Sequence, residues 1–370
     1  MTERPTVCHV VNSIRDTSMA GDLATKQQKH DNIGGVGILS LFDIKSFRND
    51  GTLKPHCLNV PSNRLTIDRS HYSEAKHILS QYDVVHTHRP HSGFYAKWIA
   101  NRLNLPMVAT HHNNHRGFTW KGRIANSITD AFADRVVSVS ESVKQSFAWW
   151  ERLLINNENI EVINNGVDIN RIDAARTLDW SIFDAADINS DAVVVGSAGM
   201  LTEQKAHNVL IEGVDKANEI SDQSIELVIS GSGGRQAELE AQIADATYDD
   251  RLHLLGFLPK REQVYKMMHE IDIYAMSSLW EGFCVAALEA MGIGNACVYS
   301  DIPEFRRPFD KVARFHSPND SAELAREIVN LAADNTFRAD LADRARALVS
   351  AEYTIQHAVE QYAECYQTIT

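Results

Sequence analysis

Short apolar runs recur along the whole chain, and longer stretches of helical composition separate them. Several runs, such as VVVGSAG and IELVIS, are continuous and rich in Val or Ile, which is typical of strands buried on both faces of a parallel sheet. This alternation predicts an α/β fold built from doubly wound parallel sheets. We predict strands at residues 6–11, 57–60, 83–87, 106–110, 135–139, 160–164, 193–199, 225–230, 252–255, 272–276, 296–300 and 312–315.

Two such β/α series lie on either side of residues 176–190, and a length of 370 residues is ample for two domains. We therefore predict one domain over residues 1–178, a second over 179–352 and a C-terminal helix over 353–370 that crosses back to the first domain. Ligands of these sheets bind beyond the carboxyl ends of the strands, so the expected site is a cleft between the domains. The polar segment 15–33 is expected to be mobile.

Amino-acid composition, charge and cysteine content limit the classes of protein to which the chain can belong. With 44% hydrophobic and 23% charged residues, the chain is expected to be globular. Its net charge is −13, but residues 1–180 carry +3 and residues 181–370 carry −16, which indicates different partners for the two halves. No broad basic field is present, so nucleic acid is not an expected partner. Five scattered cysteines without a C-x-x-C pair, and no secretory or membrane-spanning run, indicate a cytoplasmic protein.

The segment SSLWEGFCVAALEAMGIG, residues 277–294, follows a predicted strand. It places Glu281 before a helix predicted over about 285–291 and Glu289 two turns inside it, with glycines at 292 and 294 to end the helix. Backbone N–H groups at such a helix start favour an anion, above all a phosphate. Taken alone, two such glutamates are more often a helix-start charge and a solvated helix residue than part of a ligand site.

The segment GMLTEQKAHNVLIEG, residues 199–213, also follows a strand and opens a helix. Lys205 stands in the loop or first turn, where a cation is placed to meet phosphate. A lone lysine at such a place is more often an ordinary surface residue.

Together these segments resemble the retaining, nucleotide-sugar-dependent glycosyltransferases of family 4. That family has the GT-B architecture, two doubly wound parallel-sheet domains facing across a cleft. Its E-G-F-G-x-x-x-x-E pattern is matched by Glu281 and Glu289, and its G-R-L-x-x-x-K-G pattern by residues 199–206. VISGSGG (228–234) and IGGVG (33–37) look like its two glycine turns, the latter opening the first helix. Further matching segments are 136–147, 160–172 and 254–278.

The resemblance implies a role for each matched residue. Glu289 would bind the nucleotide ribose, Lys205 the diphosphate, and Glu281 the donor sugar or its cationic transition state. The remaining residues that the resemblance places at the donor are Gly35, Gly231, Phe283 and Cys284. The implied reaction moves a hexose-like sugar from a nucleotide-sugar to an acceptor hydroxyl with retention at the anomeric carbon. The nucleotide-sugar is a co-substrate, and no cofactor is expected.

Two residues depart from the family pattern, since Met200 stands for an arginine and Cys284 for a glycine. Arg235 is a conceivable replacement for the missing cation. These departures leave open the alternative of a non-catalytic GT-B subunit. A separate alternative is a GT-B nucleotide-sugar epimerase or phosphorylase. A dinucleotide-dependent oxidoreductase is disfavoured because neither glycine turn completes G-x-G-x-x-G.

Histidines cluster after two strands of the first half, in DVVHTHRPHSG (83–93) and PMVATHHNNHRG (106–117). The second segment resembles the family's T-x-H turn, which would put His112 beside the donor sugar, with His111 as the alternative. His86 and His88 resemble the acceptor-side turn. Because no carboxylate set accompanies the histidines, we expect them to line the site without a metal.

RGFTWKGR (116–123) and SFAWWERLL (146–154) interleave basic and aromatic residues. Such segments suit contact with anionic lipid headgroups, so Arg116 and Trp120 are candidate acceptor-side residues for a glycan on a lipid carrier. Peripheral contact with the inner face of the cell membrane follows from this hypothesis. The alternative is a pair of ordinary amphipathic helices that use their tryptophans as core.

Overall fold

The computed structural model describes residues 4–15, 18–45, 52–61, 66–88, 90–115 and 119–370. The chain divides into two compact units. The first unit comprises Met1–Asn165 and Ile355–Thr370, and the second comprises Gly166–Thr354.

The first unit contains a seven-stranded sheet in which every neighbouring pair of strands is parallel. Its strands are β1 Thr6–Ile14, β2 Gly35–Ile44, β3 Lys54–Cys57, β4 Val84–Thr87, β5 Met107–His111, β6 Arg135–Ser138 and β7 Ile160–Val162. Their order in the sheet is β3-β2-β1-β4-β5-β6-β7. Successive residues of a strand enter different cores: Val7 and Val84 pack on one face, Cys8 and Val85 on the other. This double burial explains the continuous apolar runs.

Helices cover both faces of this sheet, because parallel strands need right-handed crossover connections. Along the chain they are α1 Met19–Gln27, α2 Arg69–Leu79, α3 Pro90–Leu103, α4 Trp120–Asp130, α5 Glu141–Gln145 and α6 Trp149–Ile155.

The second unit contains a six-stranded parallel sheet in the order β10-β9-β8-β11-β12-β13. Its strands are β8 Val193–Ala198, β9 Ile225–Ser230, β10 Leu252–Gly256, β11 Ile273–Met276, β12 Ala296–Ser300 and β13 Arg314–His316. Its helices are α7 Ile169–Ala174, α8 Ile182–Ala186, α9 His207–Ile220, α10 Gln236–Ala244, α11 Arg261–Glu270, α12 Val285–Ile293, α13 Pro303–Phe309, α14 Ser321–Ala333 and α15 Asn335–Glu352. The predicted α/β fold with two doubly wound parallel sheets is confirmed.

The last helix, α16 (Ile355–Ile369), belongs to the first unit. Its Tyr362 and Tyr366 lie in the same apolar core as strands of the first sheet. The Tyr366 hydroxyl is 2.6 Å from Nδ1 of His86, and the Tyr362 hydroxyl is 3.0 Å from Oγ1 of Thr110.

The segment 166–178 lies in the second unit, whereas the sequence placed it in the first domain. Val167 N–H donates to the Tyr353 carbonyl over 2.9 Å, and Arg346 Nη2 donates to Asp173 Oδ2 over 2.8 Å. These contacts bind the segment to α15, which the sequence pattern alone does not reveal.

Two expectations for residues 15–37 are wrong. Residues 19–27 form α1, which buries Leu23, Ala24 and Gln27 at helical spacing, so the described part of segment 15–33 is ordered by packing. The glycine pair does not open a helix, because Gly35 begins strand β2, which the sequence analysis missed. A Cβ at Gly34 would lie 2.4 Å from the Arg4 carbonyl oxygen, so close approach of two backbones explains that glycine.

Candidate active site

The strand order of the second sheet reverses between β8 and β11. Doubly wound sheets bind ligands at such a reversal, beyond the carboxyl ends of the strands. The segments that leave β8 and β11 at this point, 199–206 and 277–284, are the two that carry Lys205 and Glu281.

Hydrogen bonds join these two segments. Leu279 N–H donates to the Gln204 carbonyl over 2.8 Å, and Gln204 Nε2 donates to the Trp280 carbonyl over 2.8 Å. The Ser277 hydroxyl donates to the Ala206 carbonyl over 2.8 Å. These hydrogen bonds hold the two loops together and thereby fix the positions of Lys205 and Glu281, which lie next to the bonded residues.

Lys205 and Glu281 form an ion pair, with Lys205 Nζ 2.7 Å from Glu281 Oε1. Their side chains are 14% and 7% exposed, so the pair is largely shielded but reachable from solvent. Burial opposes the charged ammonium, but the negative charge of Cys284, once its thiol ionises, and that of Glu281 outweigh that effect and raise the pKa of Lys205. Lys205 is therefore positively charged at physiological pH. It lies at the point where the strand order reverses, and Glu281 is its counterion.

Cys284 caps the start of α12, and its sulfur lies 3.7 Å from Lys205 Nζ. Burial, with the charge of Glu281 added, raises the pKa of its thiol to about 11, so Cys284 is a neutral thiol at physiological pH. Phe283 turns inward, with its ring 5.5 Å from that of Tyr353 and 6.2 Å from that of Phe309. The structure thus brings Cys284 to the ion pair and places the Phe283 ring in an aromatic cluster.

Glu289 lies on α12 and is held by two residues of α11. Arg261 Nε donates to Glu289 Oε1 over 3.1 Å, and the Tyr265 hydroxyl donates to the same oxygen over 2.8 Å. Both side chains of the Arg261–Glu289 ion pair are at least nine-tenths buried. Burial and the charge of Glu289 raise the pKa of Tyr265, so its hydroxyl stays a donor. The sequence analysis missed this support for Glu289, because the spacing between α11 and α12 gives no signal.

Gly231 lies where the loops after β8 and β9 cross. A Cβ there would be 1.8 Å from the Gly199 carbonyl oxygen, so no side chain fits without moving backbone. The close approach of these loops explains why position 231 of the second unit is a glycine. Gly35, the other glycine predicted at the donor, lies on strand β2 of the first unit.

Met200, which stands where the family has an arginine, is 66% exposed. Arg235 does not simply replace the positive charge of that arginine. Arg235 donates from Nε to Glu238 over 2.8 Å and from Nη1 to Asn208 over 3.0 Å. Its guanidinium is held by these partners.

The histidine segments of the first unit end strands β4 and β5. A cavity of about 70 Å³ lies beyond these strands. Its polar lining includes His88, His111, His112, Lys97 and Asp130.

Lys97 and Asp130 form an ion pair beside this cavity, 2.5 Å from Nζ to Oδ1, with side chains only 2% and 0% exposed. Asp130 also accepts from His111 Nε2 over 3.1 Å, and His111 Nδ1 is 3.0 Å from His115 Nε2. Both ring nitrogens of His111 thus make contacts inside the protein.

The predicted acceptor-side residues do not lie together. His86 is fully buried, and its ring nitrogens contact Tyr366 and Thr110, so it is placed to support the fold and not to touch an acceptor. His88 lines the cavity, whereas Trp120 lines a separate groove on the surface. Arg116 lies outside the described residues.

Within the described part of the chain, His9, His86 and His88 form a group that is close enough to hold a metal, with ligand atoms within 4.8 Å of one another. Their nitrogens already make hydrogen bonds to one another or to Gln27, Tyr366, Thr110 and His112. A divalent ion here would have to displace these hydrogen bonds.

Large exposed apolar side chains concentrate on α3, α4 and α6, a region we call the α3–α4–α6 surface. Trp120 is 68% exposed and Trp149 is 77% exposed, so the alternative that these tryptophans belong to the core is wrong. Basic groups accompany the rings: Lys121 Nζ is 5.6 Å from the Trp120 centroid, and Arg102 Cζ is 5.0 Å from that of Trp98. The other apolar members are Phe94, Ile124, Ile128, Leu153 and Leu154.

No helix among the described residues combines the length and the apolar character needed to cross a membrane.

Models of two glycosyltransferase families match the two halves of the chain. The family model described as "Glycosyltransferase Family 4" matches residues 36–171, and the model described as "Glycosyl transferases group 1" matches residues 179–348. The O-antigen biosynthesis glycosyltransferase WclY of Escherichia coli is 22% identical over 325 residues, 85% of this chain and 86% of that protein.

A second relative is the UDP-Gal:alpha-D-GlcNAc-diphosphoundecaprenol alpha-1,3-galactosyltransferase of Escherichia coli. It is 26% identical over 235 residues, 60% of this chain and 58% of that protein. Among solved structures, Anabaena HepE in complex with UDP-glucose superposes with a TM-score of 0.78 at 18% identity, over 98% of this chain and 100% of that one. The two family models account for most of both units, and the solved relative shows the fold. The chain is a glycosyltransferase that has the GT-B fold and belongs to family 4.

Proposed function

We propose that this protein transfers a hexose-like sugar from a nucleotide-sugar to a hydroxyl of a lipid-linked glycan, with retention at the anomeric carbon. The observation that carries the proposal is the shielded Lys205–Glu281 pair at the reversal point of the second sheet. A cation held there by a neighbouring carboxylate is placed to meet a diphosphate.

Donor binding is assigned to three features of the second unit. Glu289, oriented by Arg261 and Tyr265, accepts hydrogen bonds from the ribose hydroxyls. Lys205 and the N–H groups at the start of α12 bind the diphosphate. Anabaena HepE, which is similar in fold, has been solved in complex with UDP and with UDP-glucose, so UDP-sugars are the first donors to test.

Breaking the sugar–phosphate bond develops negative charge on the departing diphosphate and positive charge on the anomeric carbon. Lys205 stabilises the first charge and Glu281 the second. Preorganised charges of this kind act most strongly where water is largely excluded. Their contribution applies equally to a direct front-face displacement and to a covalent intermediate.

The acceptor assignment rests on the α3–α4–α6 surface. Three helices present tryptophan, isoleucine and leucine side chains beside Lys121 and Arg102, a combination that suits the boundary between lipid headgroups and acyl chains. One relative is named for O-antigen biosynthesis and another for a diphosphoundecaprenol-linked substrate. These names support a growing polysaccharide on a lipid carrier as the acceptor.

The donor site is tested by turnover. Purified protein is incubated with UDP-, GDP-, ADP- and dTDP-sugars, and release of the nucleoside diphosphate as water takes up the sugar is measured for wild type, Lys205→Ala and Glu281→Gln. We expect one donor to be used and each variant to lose about 100-fold or more in rate, since removing one charge stabiliser typically costs that much.

The matched control for the donor site is Lys216→Ala, which removes a lysine of the same unit that pairs with Glu212 on the surface. It should keep wild-type turnover. If no donor is bound or consumed by the wild type, the non-catalytic subunit replaces this proposal.

The acceptor surface is tested with vesicles. Trp149→Ser combined with Leu153→Ser should weaken binding to vesicles that contain anionic phospholipid. The control is Ile220→Ser combined with Phe257→Ser in the second unit, where the side chains are comparably exposed at 60% and 66%. Arg123 is left intact because it forms an ion pair with the buried Glu151. Equal binding by both double variants would refute the lipid contact.

A further inference from the structure

A row of four buried side chains lies beside the cavity beyond β4 and β5. Asp130 Oδ2 on α4 is 3.1 Å from His111 Nε2, and His111 Nδ1 is 3.0 Å from His115 Nε2. His115 Nδ1 is in turn 3.2 Å from Glu151 Oε1 on α6. The row therefore has a carboxylate at each end and two imidazole rings between them.

Both carboxylates are ionised, so they can only accept hydrogen bonds. Burial opposes ionisation of Asp130, but neighbouring positive groups outweigh it and hold its pKa well below the usual value. Burial likewise opposes ionisation of Glu151, but hydrogen bonds from His115 and Arg123 lower its pKa to about 2. His111 must therefore donate from Nε2, and His115 must donate from Nδ1.

The contact between the two rings requires one proton more than two neutral imidazoles carry. A neutral imidazole has a single N–H group, which each ring already gives to its carboxylate. Without a further proton, two lone pairs would face each other over the 3.0 Å between His111 Nδ1 and His115 Nε2. Burial lowers the pKa of His115, so the added proton belongs on His111. His111 is then an imidazolium that donates to Asp130 and to His115.

This proton leaves the network with an unbalanced positive charge. Lys97 is paired with Asp130, and Arg123 is paired with Glu151. The imidazolium of His111 therefore has no counter-charge of its own among the described residues of this network. A buried charge without such compensation is strongly unfavourable.

The cavity offers a place for the missing negative charge. Lys97 and His111 both line it, and its volume of about 70 Å³ is several times what a single water molecule needs. Lys97 Nζ donates to Asn126 Oδ1 over 3.2 Å and to Asp130 Oδ1 over 2.5 Å. Because an ammonium has three N–H donors and the described residues accept two of them, one remains for a group in the cavity.

We propose that this cavity binds an oxyanion, a phosphate or carboxylate group, through an N–H group of Lys97 and the positive charge of the His111 imidazolium. All residues that line the cavity belong to the first unit. The role of the site in the reaction rests on the proposed function, in which the first unit meets the acceptor. The oxyanion is then either the phosphate of a lipid carrier or the carboxylate of an acidic sugar.

The site is tested by long-range ¹H–¹⁵N spectra of protein labelled in its histidines. At pH 7, wild-type His111 should show two N–H groups and His115 only Nδ1–H. Inorganic phosphate and acetate are titrated at constant ionic strength against chloride, and at least one should shift the His111 signals until they saturate. A stronger response to phosphate assigns the site to a lipid-carrier phosphate, and a stronger response to acetate assigns it to an acidic sugar.

His111→Gln removes the charge but keeps a side-chain N–H donor. It should weaken the Kd for the bound anion, followed at the cavity-lining His88, by about tenfold or more, because a nearby unit charge contributes at least that much at intermediate dielectric. The control is His77→Gln, which removes an exposed histidine of α2 and should leave the Kd unchanged. Lys205→Ala should also keep the response, because Lys205 belongs to the second unit.

A wild-type His111 that is neutral at pH 7, or one whose signals neither anion shifts, overturns the proposal without any variant. An unchanged Kd in a folded His111→Gln protein overturns it as well. If the anion binds at His111 but wild type uses no nucleotide-sugar, the proposed function fails and the anion site stands. If a nucleotide-sugar is used but no anion shifts His111, the anion site fails and the proposed function stands.

Discussion

Replacing Lys97 by methionine should destabilise the first unit strongly. Lys97 and Asp130 are 2% and 0% exposed, and Lys97 Nζ is 2.5 Å from Asp130 Oδ1. Removing one partner of a buried ion pair typically costs about 3–5 kcal/mol, because the other charge is left without compensation. Asp130 keeps bonds from His111 Nε2 and Asn126 Nδ2, so we expect a loss near the lower end, about 3 kcal/mol.

The loss should depend on pH. In the wild type, burial opposes ionisation of Asp130, but Lys97 and His111 outweigh it and hold its pKa well below the usual value. Such a group stabilises the fold above its unfolded pKa of about 3.9 and loses that effect only as pH falls through the folded value. In Lys97→Met the burial effect remains without the cation, which raises the pKa of Asp130. The variant should therefore be relatively less destabilised at pH 5 than at pH 7.5.

The assay is urea unfolding combined with hydrogen exchange in peptides of β5 and α4, so that the first unit is followed separately from the second. Lys97→Met with Asp130→Asn is the control, because the neutral amide no longer needs the cation and should recover most of the loss. A loss under about 1 kcal/mol at pH 7.5, an equal loss at both pH values, or a double variant no more stable than the single one would each refute the reasoning.

Three further predictions concern the second unit. Ala206 has a φ of +45° between Lys205 and α9, a conformation that costs a non-glycine residue about 1–2 kcal/mol, so Ala206→Gly should raise the Tm; an unchanged or lower Tm would contradict it. Gly231→Ala should lower stability by about 1–3 kcal/mol or more, because its Cβ would meet the Gly199 carbonyl; urea unfolding with an unchanged midpoint would count against the crossing of the loops. Tyr265→Phe removes a donor to the carboxylate of Glu289 and should cost about 1.5–3 kcal/mol in unfolding free energy and weaken UDP binding, whereas unchanged values of both would show that the Tyr265 bond is unimportant.

Much of the fold was accessible from the sequence because strands buried on both faces leave continuous apolar runs. Twelve of the observed strands overlap a predicted run, including β8, β9 and β12. Strand β2 was missed because its first residues, Gly35-Val36-Gly37, resemble a glycine turn. In the structure a Cβ at Gly37 would clash with the Tyr82 hydroxyl, so this glycine leaves room for the Tyr82 side chain beside the sheet.

The site was accessible only in part. Motif spacing singled out Lys205 and Glu281, and the structure places them 2.7 Å apart. The support for Glu289 from Arg261, and the pair of Lys97 with Asp130, depend on contacts between helices that are far apart in the chain. Segment 166–178 was assigned to the wrong unit for the same reason, since its hydrogen bond reaches Tyr353.

The most direct test of the account is calorimetric titration of UDP into wild type, Lys205→Ala and Lys216→Ala. A hydrogen bond to a charged group contributes about 1.5–3 kcal/mol, so Lys205→Ala should weaken the Kd by about 10- to 150-fold while Lys216→Ala leaves it unchanged. If UDP binds wild type and Lys205→Ala equally well, the loops after β8 and β11 do not form the diphosphate site.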